Sequence, residues 1–181
     1  MTRTIDLPAA GMLGLGHEAV ASLRDALLRD MGPDAAGYLQ QAGYAGGDAV
    51  YAAFTSWLAA EGRSEPESLD VAGFATLASE FFADLGWGSF SFGSGTPVAT
   101  IDSPDWIEAS GVAGMDQPCC HVGTGLLAAF FGRVADQPLA VMEVECRSTG
   151  ASQCRFLLGG SDTMQQVWER MAEGGHYSEV S

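Results

Sequence analysis

Two short apolar segments joined by a glycine-containing connection most constrain how this chain can fold. Leu139–Glu145 and Gln153–Leu158 both have the composition of strands, and the connection Arg147–Ser152 must reverse the chain between them. We therefore predict a hairpin. Because its strands are antiparallel, Cys146 and Cys154 are expected at neighbouring strand ends.

Helical apolar spacing dominates the chain before residue 86. Gly16–Arg29 has the pattern of an amphipathic helix, with Arg24 and Asp25 predicted on its outer face. Another helix is predicted from Leu69, where an apolar stripe with a period of 3.6 residues runs up to Gly86. A glycine at that position allows the helix to end.

A helical segment that begins near Asp34 contains three interior glycines, Gly43, Gly46 and Gly47. Glycine is costly inside a helix, so it needs a structural reason there. The pattern indicates either a break between two shorter helices or a close approach of another helix. Both interpretations remain open at this stage.

The second half of the chain has a mixed pattern. Two short strands are predicted around a turn at Gly93–Thr96. A helix opened by Pro118 is expected over Cys119–Arg133, ahead of the hairpin, and a final helix capped by Ser161 or Asp162 follows it. This order predicts an α+β fold in which helices cover an antiparallel sheet.

The chain has no internal repeat and no long linker. We therefore expect a single domain over residues 1–181, with a helical half at about 11–85 and a sheet half at about 87–175. Hydrophobic residues make up 47% of the chain and charged residues 17%, a composition that argues against disorder.

The formal net charge is −15, and all eight basic residues are arginines. A chain without lysine cannot form a Schiff-base lysine or a phosphate-binding P-loop. An acidic surface also repels phosphate groups, so we expect no direct contact with nucleic acid.

Charged residues and glycines interrupt the apolar residues near the start, and no stretch is long and apolar enough for a membrane span. We therefore expect a cytoplasmic location. Disulfides rarely persist in that compartment, so the four cysteines indicate metal binding, catalysis or simple burial.

Three of these cysteines fall where a metal site is conceivable. Cys120 is predicted in the first turn of a helix, where unpaired N–H groups favour a thiolate, and Glu143 lies three residues before Cys146. Three thiolates and one carboxylate suit a closed tetrahedral zinc site. From spacing alone, metal ligands and plainly buried cysteines remain equal alternatives. Arg147 and Arg155, each next to a cysteine, are candidates to balance the charge of such a site.

The full spacing, Cys-x22-Glu-x2-Cys-x7-Cys, with HVGTGLLAAFFG after the first cysteine and CRSTGASQCRF at the end, resembles the vinyl-4-reductase domain. That domain occurs as the sensory domain of phenol- and xylene-responsive activators and in a bacteriochlorophyll-synthesis protein. The resemblance is strongest over Cys119–Leu158 and looser over Gly11–Trp106. It implies an antiparallel sheet covered by helices, a fold shared with haem-based nitric-oxide sensors and transport-particle subunits, and pairing as a homodimer.

The resemblance also implies a structural zinc ion beside a ligand cavity, held by the residues that match the family's ligands: Cys120, Glu143, Cys146 and Cys154. Cys119 and His121 flank the first of these and are competing candidates. No catalytic residue is assigned, because a zinc ion with four protein ligands has no open position for water.

An apolar, aromatic pocket for a small molecule is expected in the interior, and its candidate lining residues are Trp87, Phe90, Trp106 and Phe130. The histidine and tryptophan pair of the phenol sensors cannot be placed here at matching positions. We expect a stand-alone domain that binds a small apolar or aromatic molecule, as a sensor or carrier. One alternative is an accessory or reductase-like protein of tetrapyrrole and bacteriochlorophyll synthesis, and another is a dimerising scaffold for other proteins.

Overall fold

The computed structural model describes residues 5–63, 65–94 and 98–179, which form six α-helices, four strands and several short 3-10 turns. The helices are α1 (His17–Met31), α2 (Ala35–Ala45), α3 (Gly47–Ala60), α4 (Val71–Leu85), α5 (His121–Val134) and α6 (Ser161–Ala172). The strands are β1 (Ser91–Ser94), β2 (Ala99–Ser103), β3 (Ala140–Glu145) and β4 (Cys154–Gly159).

The four strands form one antiparallel sheet in the order β1-β2-β4-β3. The larger core lies between one face of this sheet and helices α3, α4 and α5, and it contains most of the buried aromatic side chains. A smaller core around Leu157 and Val167 lies between the opposite face and α6. The predicted α+β fold and the hairpin of β3 and β4 are therefore confirmed.

The glycines of the second helical segment serve both purposes that the sequence left open. The segment breaks at Gly46, between α2 and α3. Helix α5 also lies directly against both helices: a Cβ at Gly43 would be 2.0 Å from the carbonyl oxygen of Val122, and one at Gly47 would be 2.1 Å from the Cβ of Ala129. Close approach of α5 thus requires glycine on this face.

Two local predictions are wrong. Arg24 is not on the outer face of α1: only 3% of the residue is exposed, and its guanidinium reaches the backbone of Glu108. The last helix has neither Ser161 nor Asp162 as its N-cap, since α6 begins at Ser161 and the cap residue is Gly160.

Part of the predicted Gly93–Thr96 turn lies outside the described residues. Within them, Gly93 is in β1 and pairs with Thr100 of β2. Helix α4 follows its prediction closely: Asp70 caps it by accepting a hydrogen bond from the amide of Gly73, and Gly86 ends it in a left-handed conformation.

Across the described part of the chain, none of the helices combines the length and the apolar character that crossing a membrane requires.

Candidate metal centre

A β-bulge in β3 determines the direction of the acidic side chain at the site. Glu143 pairs with Phe156, but the next pair joins Glu145 to Arg155, so β3 has one residue more than β4 at this point. In a regular strand, residues three apart point to opposite faces. The extra residue returns Glu143 and Cys146 to the same face, which is the bend that their common site requires.

The connection between the two strands fixes the two cysteines of the hairpin. A short 3-10 turn follows Cys146, and Gly150 ends it with a φ of 96°, a conformation that favours glycine. The amides of Thr149 and Ala151 both donate to the carbonyl oxygen of Cys146. Cys154 is the first residue of β4, and its side chain belongs to the larger core.

The third cysteine comes from the start of α5. Cys120 is the N-cap of this helix, one position before the first turn in which it was predicted. Its amide donates to Glu143 Oε2 at 2.9 Å, and its carbonyl oxygen accepts from both the amide and the hydroxyl of Thr124. The helix start and the bulged strand are therefore joined directly.

The side chains of Cys120, Glu143, Cys146 and Cys154 converge, with their ligand atoms all within 4.8 Å of one another. The three Sγ–Sγ distances are 3.8, 3.9 and 4.0 Å. A tetrahedral zinc ion with Zn–S bonds of about 2.3 Å requires sulfur atoms about 3.8 Å apart. All three cysteines are free thiols with no exposed surface. The spacing of the sulfur atoms thus suits a tetrahedral ion.

Glu143 supplies an independent test of whether the site fits a cation. While Oε2 accepts from Cys120, its other oxygen, Oε1, is buried without a hydrogen-bond partner among the described residues. A buried carboxylate oxygen without a partner is costly unless something else compensates its charge. The oxygen left over is thus available as the fourth ligand atom.

The acid groups of the cluster perturb one another strongly. Burial raises the pKa of the Glu143 carboxyl to about 8. Hydrogen bonds with the neighbouring thiols, first that of Cys119, raise the pKa of Cys120 and lower that of Cys146. A divalent cation would compensate the charge of these crowded, water-excluded groups.

The other side chains that the sequence placed near the site lie elsewhere. Cys119 is buried next to the cluster and His121 is the first residue of α5, but neither belongs to the four-residue group. Arg155 does not neutralise the centre, because it points away from Cys154 and makes a bidentate ion pair with Asp102.

Arg147 also has a different role. Its guanidinium donates to the backbone oxygen of Trp106 at 3.4 Å. The expected balancing of the cluster's charge by Arg147 and Arg155 is therefore not what these two side chains do; they tie neighbouring segments to the hairpin.

A buried carboxylate beside the centre escaped the sequence interpretation. Glu108, in the 3-10 turn Ile107–Ala109, is only 4% exposed, and its two oxygens accept from the amides of Val122 and Gly123 at 2.9 and 2.7 Å. Burial raises the pKa of Glu108 to about 7, although these hydrogen bonds lower it. Arg24 donates to the carbonyl oxygen of the same residue at 2.7 Å. No local sequence signal indicates this contact, since Arg24 and Glu108 are 84 positions apart.

The four aromatic residues predicted to line a pocket lie around one another in the larger core. Phe90, Trp106 and Phe130 all contact the ring of Phe82, with centroid distances of 5.4, 6.2 and 5.1 Å. Trp87 packs against Trp106 at 5.4 Å and is the one that is only half-buried. Trp106 itself is fully buried, yet its Nε1 has no hydrogen-bond partner among the described residues.

The fold and this donor cluster define an α+β domain with a candidate structural metal centre. The family model of the vinyl-4-reductase domain matches residues 101–159, which include all four residues of the cluster. The bacteriochlorophyll synthase 23 kDa chain of Cereibacter sphaeroides is 32% identical over 154 residues, 83% of this chain and 72% of that protein. The chain belongs to the vinyl-4-reductase domain family.

Two solved structures share the fold at low sequence identity. The phenol-responsive sensory domain of the transcription activator PoxR, crystallised with phenol, is 17% identical with a TM-score of 0.65, over 89% of this chain and 82% of that one. A trafficking protein particle complex subunit 3 from Naegleria fowleri, covalently bound to palmitic acid, is 12% identical with a TM-score of 0.57, over 79% and 93%. Both likenesses confirm the predicted architecture.

Proposed function

We propose that this chain is a small-molecule-binding domain, a sensor or carrier, whose fold is held together by a structural zinc ion. Cys120, Cys146, Cys154 and Glu143 Oε1 would hold the ion. Its contribution would be structural, because it would tie the start of α5 to the hairpin and four protein ligands leave no position for a reacting water.

The observation that carries the binding proposal is the unpartnered N–H of Trp106. A fully buried indole usually has a hydrogen-bond acceptor for its nitrogen, and this one lies among aromatic rings. A small aromatic molecule with one oxygen would give the N–H its acceptor and contact the rings with its apolar part. Since the rings touch one another, such a ligand must displace a side chain, and the half-buried Trp87 is the nearest to solvent.

Calorimetry with a matched pair of probes tests this proposal. Phenol and toluene have nearly the same shape, but only phenol has an oxygen for the indole N–H. The wild-type chain is expected to prefer phenol by about tenfold, the effect of one hydrogen bond, and Trp106→Phe is expected to remove that preference.

Trp168→Phe is the control, because Trp168 is 55% exposed on α6 and belongs to neither the aromatic core nor the centre. It should leave both affinities unchanged. Failure of the wild-type chain to bind either probe, or an undiminished preference for phenol in Trp106→Phe, would contradict the role given to Trp106.

A second candidate function is an accessory role in bacteriochlorophyll synthesis, including a vinyl reduction if the chain catalyses a reaction. The similarity to the bacteriochlorophyll synthase 23 kDa chain favours it, because it extends over 83% of this chain. Chain purified from a pigment-producing host is then expected to show the strong near-ultraviolet absorbance of a bound tetrapyrrole. Absence of that band, together with phenol binding, would favour the first function.

We also infer a cytoplasmic homodimer. The four free thiols of the described chain support a reducing compartment. Exposed apolar side chains on and before α1 and α2, among them Leu23, Tyr38 and Tyr44, support association of two copies through this region.

A further inference from the structure

The chain that leads into Cys120 does little to hold it in place. Residues 111–118 form neither helix nor strand and are mostly exposed. The position of the Cys120 sulfur must therefore be set from the helix that follows it. Because the carbonyl oxygen of Cys120 accepts twice from Thr124, Cys120 moves with the first turn of α5.

Glu108 is the side chain that holds this first turn from outside the helix. Its two carboxylate oxygens accept from two successive amides, those of Val122 and Gly123. These N–H groups have no acceptor within α5 itself, since the first turn of a helix lacks preceding carbonyl groups. A carboxylate at a helix start is also favoured by the helix dipole.

Glu108 is itself held on both sides of its turn. The amide of Ile107 donates to the carbonyl oxygen of Trp87 at 2.9 Å, and the buried Arg24 donates to the carbonyl oxygen of Glu108. The turn also touches α5 directly, because a Cβ at Gly123 would be 2.6 Å from Trp106 Nε1. A contact this close leaves the helix start little freedom relative to the carboxylate.

We propose that Glu108 is a positioning residue of the metal centre, which fixes where Cys120 presents its thiolate by holding the amides of Val122 and Gly123. This inference rests on the proposed zinc site. Without Glu108, the two amides would turn to water and the first turn would fray, so that Cys120 would no longer face Glu143 and the hairpin cysteines. Residues that orient metal ligands typically contribute 10- to 100-fold to metal affinity.

Glu108→Gln tests the proposal with little change of shape. The amide keeps one acceptor oxygen but turns an NH2 group toward the other backbone N–H. We expect zinc affinity, measured by competition with a chromophoric chelator, to fall at least about tenfold. The visible absorption band of the cobalt-loaded variant is expected to shift or weaken, since it reports the arrangement of the ligands around the ion.

Asp70→Asn is the matched control. Asp70 also caps a helix through its carboxylate, accepting from Gly73 at 2.7 Å, but that helix is α4, which contributes no residue to the cluster. Its variant is expected to lower the melting temperature while leaving the zinc affinity and the cobalt spectrum unchanged. A helix cap without a positioning role would make Glu108→Gln behave in the same way.

Two further outcomes are distinct. If Glu108→Gln does not fold, Glu108→Asp, which keeps both oxygens on a shorter side chain, is expected to fold and bind zinc more weakly than the wild type. Wild-type affinity and spectrum in every folded Glu108 variant would overturn the inference. A wild-type chain that binds no zinc would instead overturn the proposed function, so the two failures are told apart by the wild-type titration alone.

Discussion

At the scale of single residues, Cys119 and Cys154 offer the sharpest comparison, because both are fully buried thiols and only Cys154 belongs to the four-residue cluster. Cys154→Ala is expected to abolish zinc binding and lower the melting temperature by about 10 °C, since the free energy of metal binding to the folded state is lost. Cys119→Ala removes only a small buried group and should cost about 2 to 4 °C with zinc retained.

Elemental analysis and calorimetric melting of the two variants check this prediction. Equal losses of zinc and of thermal stability would mean that the ligand set has been assigned to the wrong cysteines. A wild-type chain without metal, with Cys146 and Cys154 joined by a disulfide, would exclude the zinc site altogether.

The residues of the cluster could be read from the sequence because their spacing along one hairpin and one helix start is short-range information. Arg24 and Glu108 could not. An arginine on an amphipathic helix is exposed by default, and only the folded chain shows that a turn 84 positions later supplies its acceptor. The burial of both residues depends on how α1, α5 and the turn pack together, which no local pattern encodes.

At the scale of secondary-structure elements, the contact of α2 with α5 should respond very differently to two similar substitutions. Gly43→Ala would place a methyl group 2.0 Å from the carbonyl oxygen of Val122, so it is expected to cost about 3 kcal/mol of the free energy of unfolding. Gly37→Ala, on the same helix, meets nothing within 4 Å and should stabilise the chain by about 0.5 kcal/mol.

Urea denaturation of both alanine variants measures these changes. A small effect of Gly43→Ala would mean that α2 can move away from α5 and that the close helix contact is not needed for stability.

The helices were predictable because their apolar residues recur at the helical period, and so was the hairpin, from its two apolar segments. The glycines of α2 and α3 were ambiguous for a physical reason: a break and a close contact require the same residue. The bulge at Glu143 and Glu145 was only a condition that the common site imposed, because a one-residue insertion in a ladder depends on the partner strand β4.

A hydrogen bond between α3 and the loop that follows it predicts a pH effect. Tyr51 donates to Glu67 at 2.7 Å, and burial, followed by this bond, raises the pKa of Tyr51 to about 12, against about 10 in the unfolded chain. A raised pKa stabilises the folded state fully below pH 10, and this contribution is lost as the pH rises through 12.

Urea midpoints measured between pH 9 and pH 11.5 should therefore fall more steeply for the wild-type chain than for Tyr51→Phe, which has no phenol to ionise. Parallel curves for the two proteins would show that the phenol is not protected in the folded state.

At the scale of the whole molecule, charge and apolar exposure are distributed unevenly. The chain has a net charge of −15, yet α2 contains no charged residue. Among the described residues, six of the nine large apolar side chains that are exposed lie between residues 13 and 44. Two copies of so acidic a chain repel each other, so a face without charge is where association costs least.

We therefore predict that a homodimer forms through α2 and the neighbouring α1, and that added salt strengthens it by screening the repulsion between the two chains. Tyr38→Glu would bring two new carboxylates into that interface and is expected to yield monomers. Val71→Glu introduces the same charge at a position that is 86% exposed on α4, so the dimer should persist. Sedimentation velocity over a range of protein and salt concentrations separates these cases. A wild-type chain that stays monomeric throughout, or equal dissociation of both variants, would place the interface elsewhere or remove the need for one.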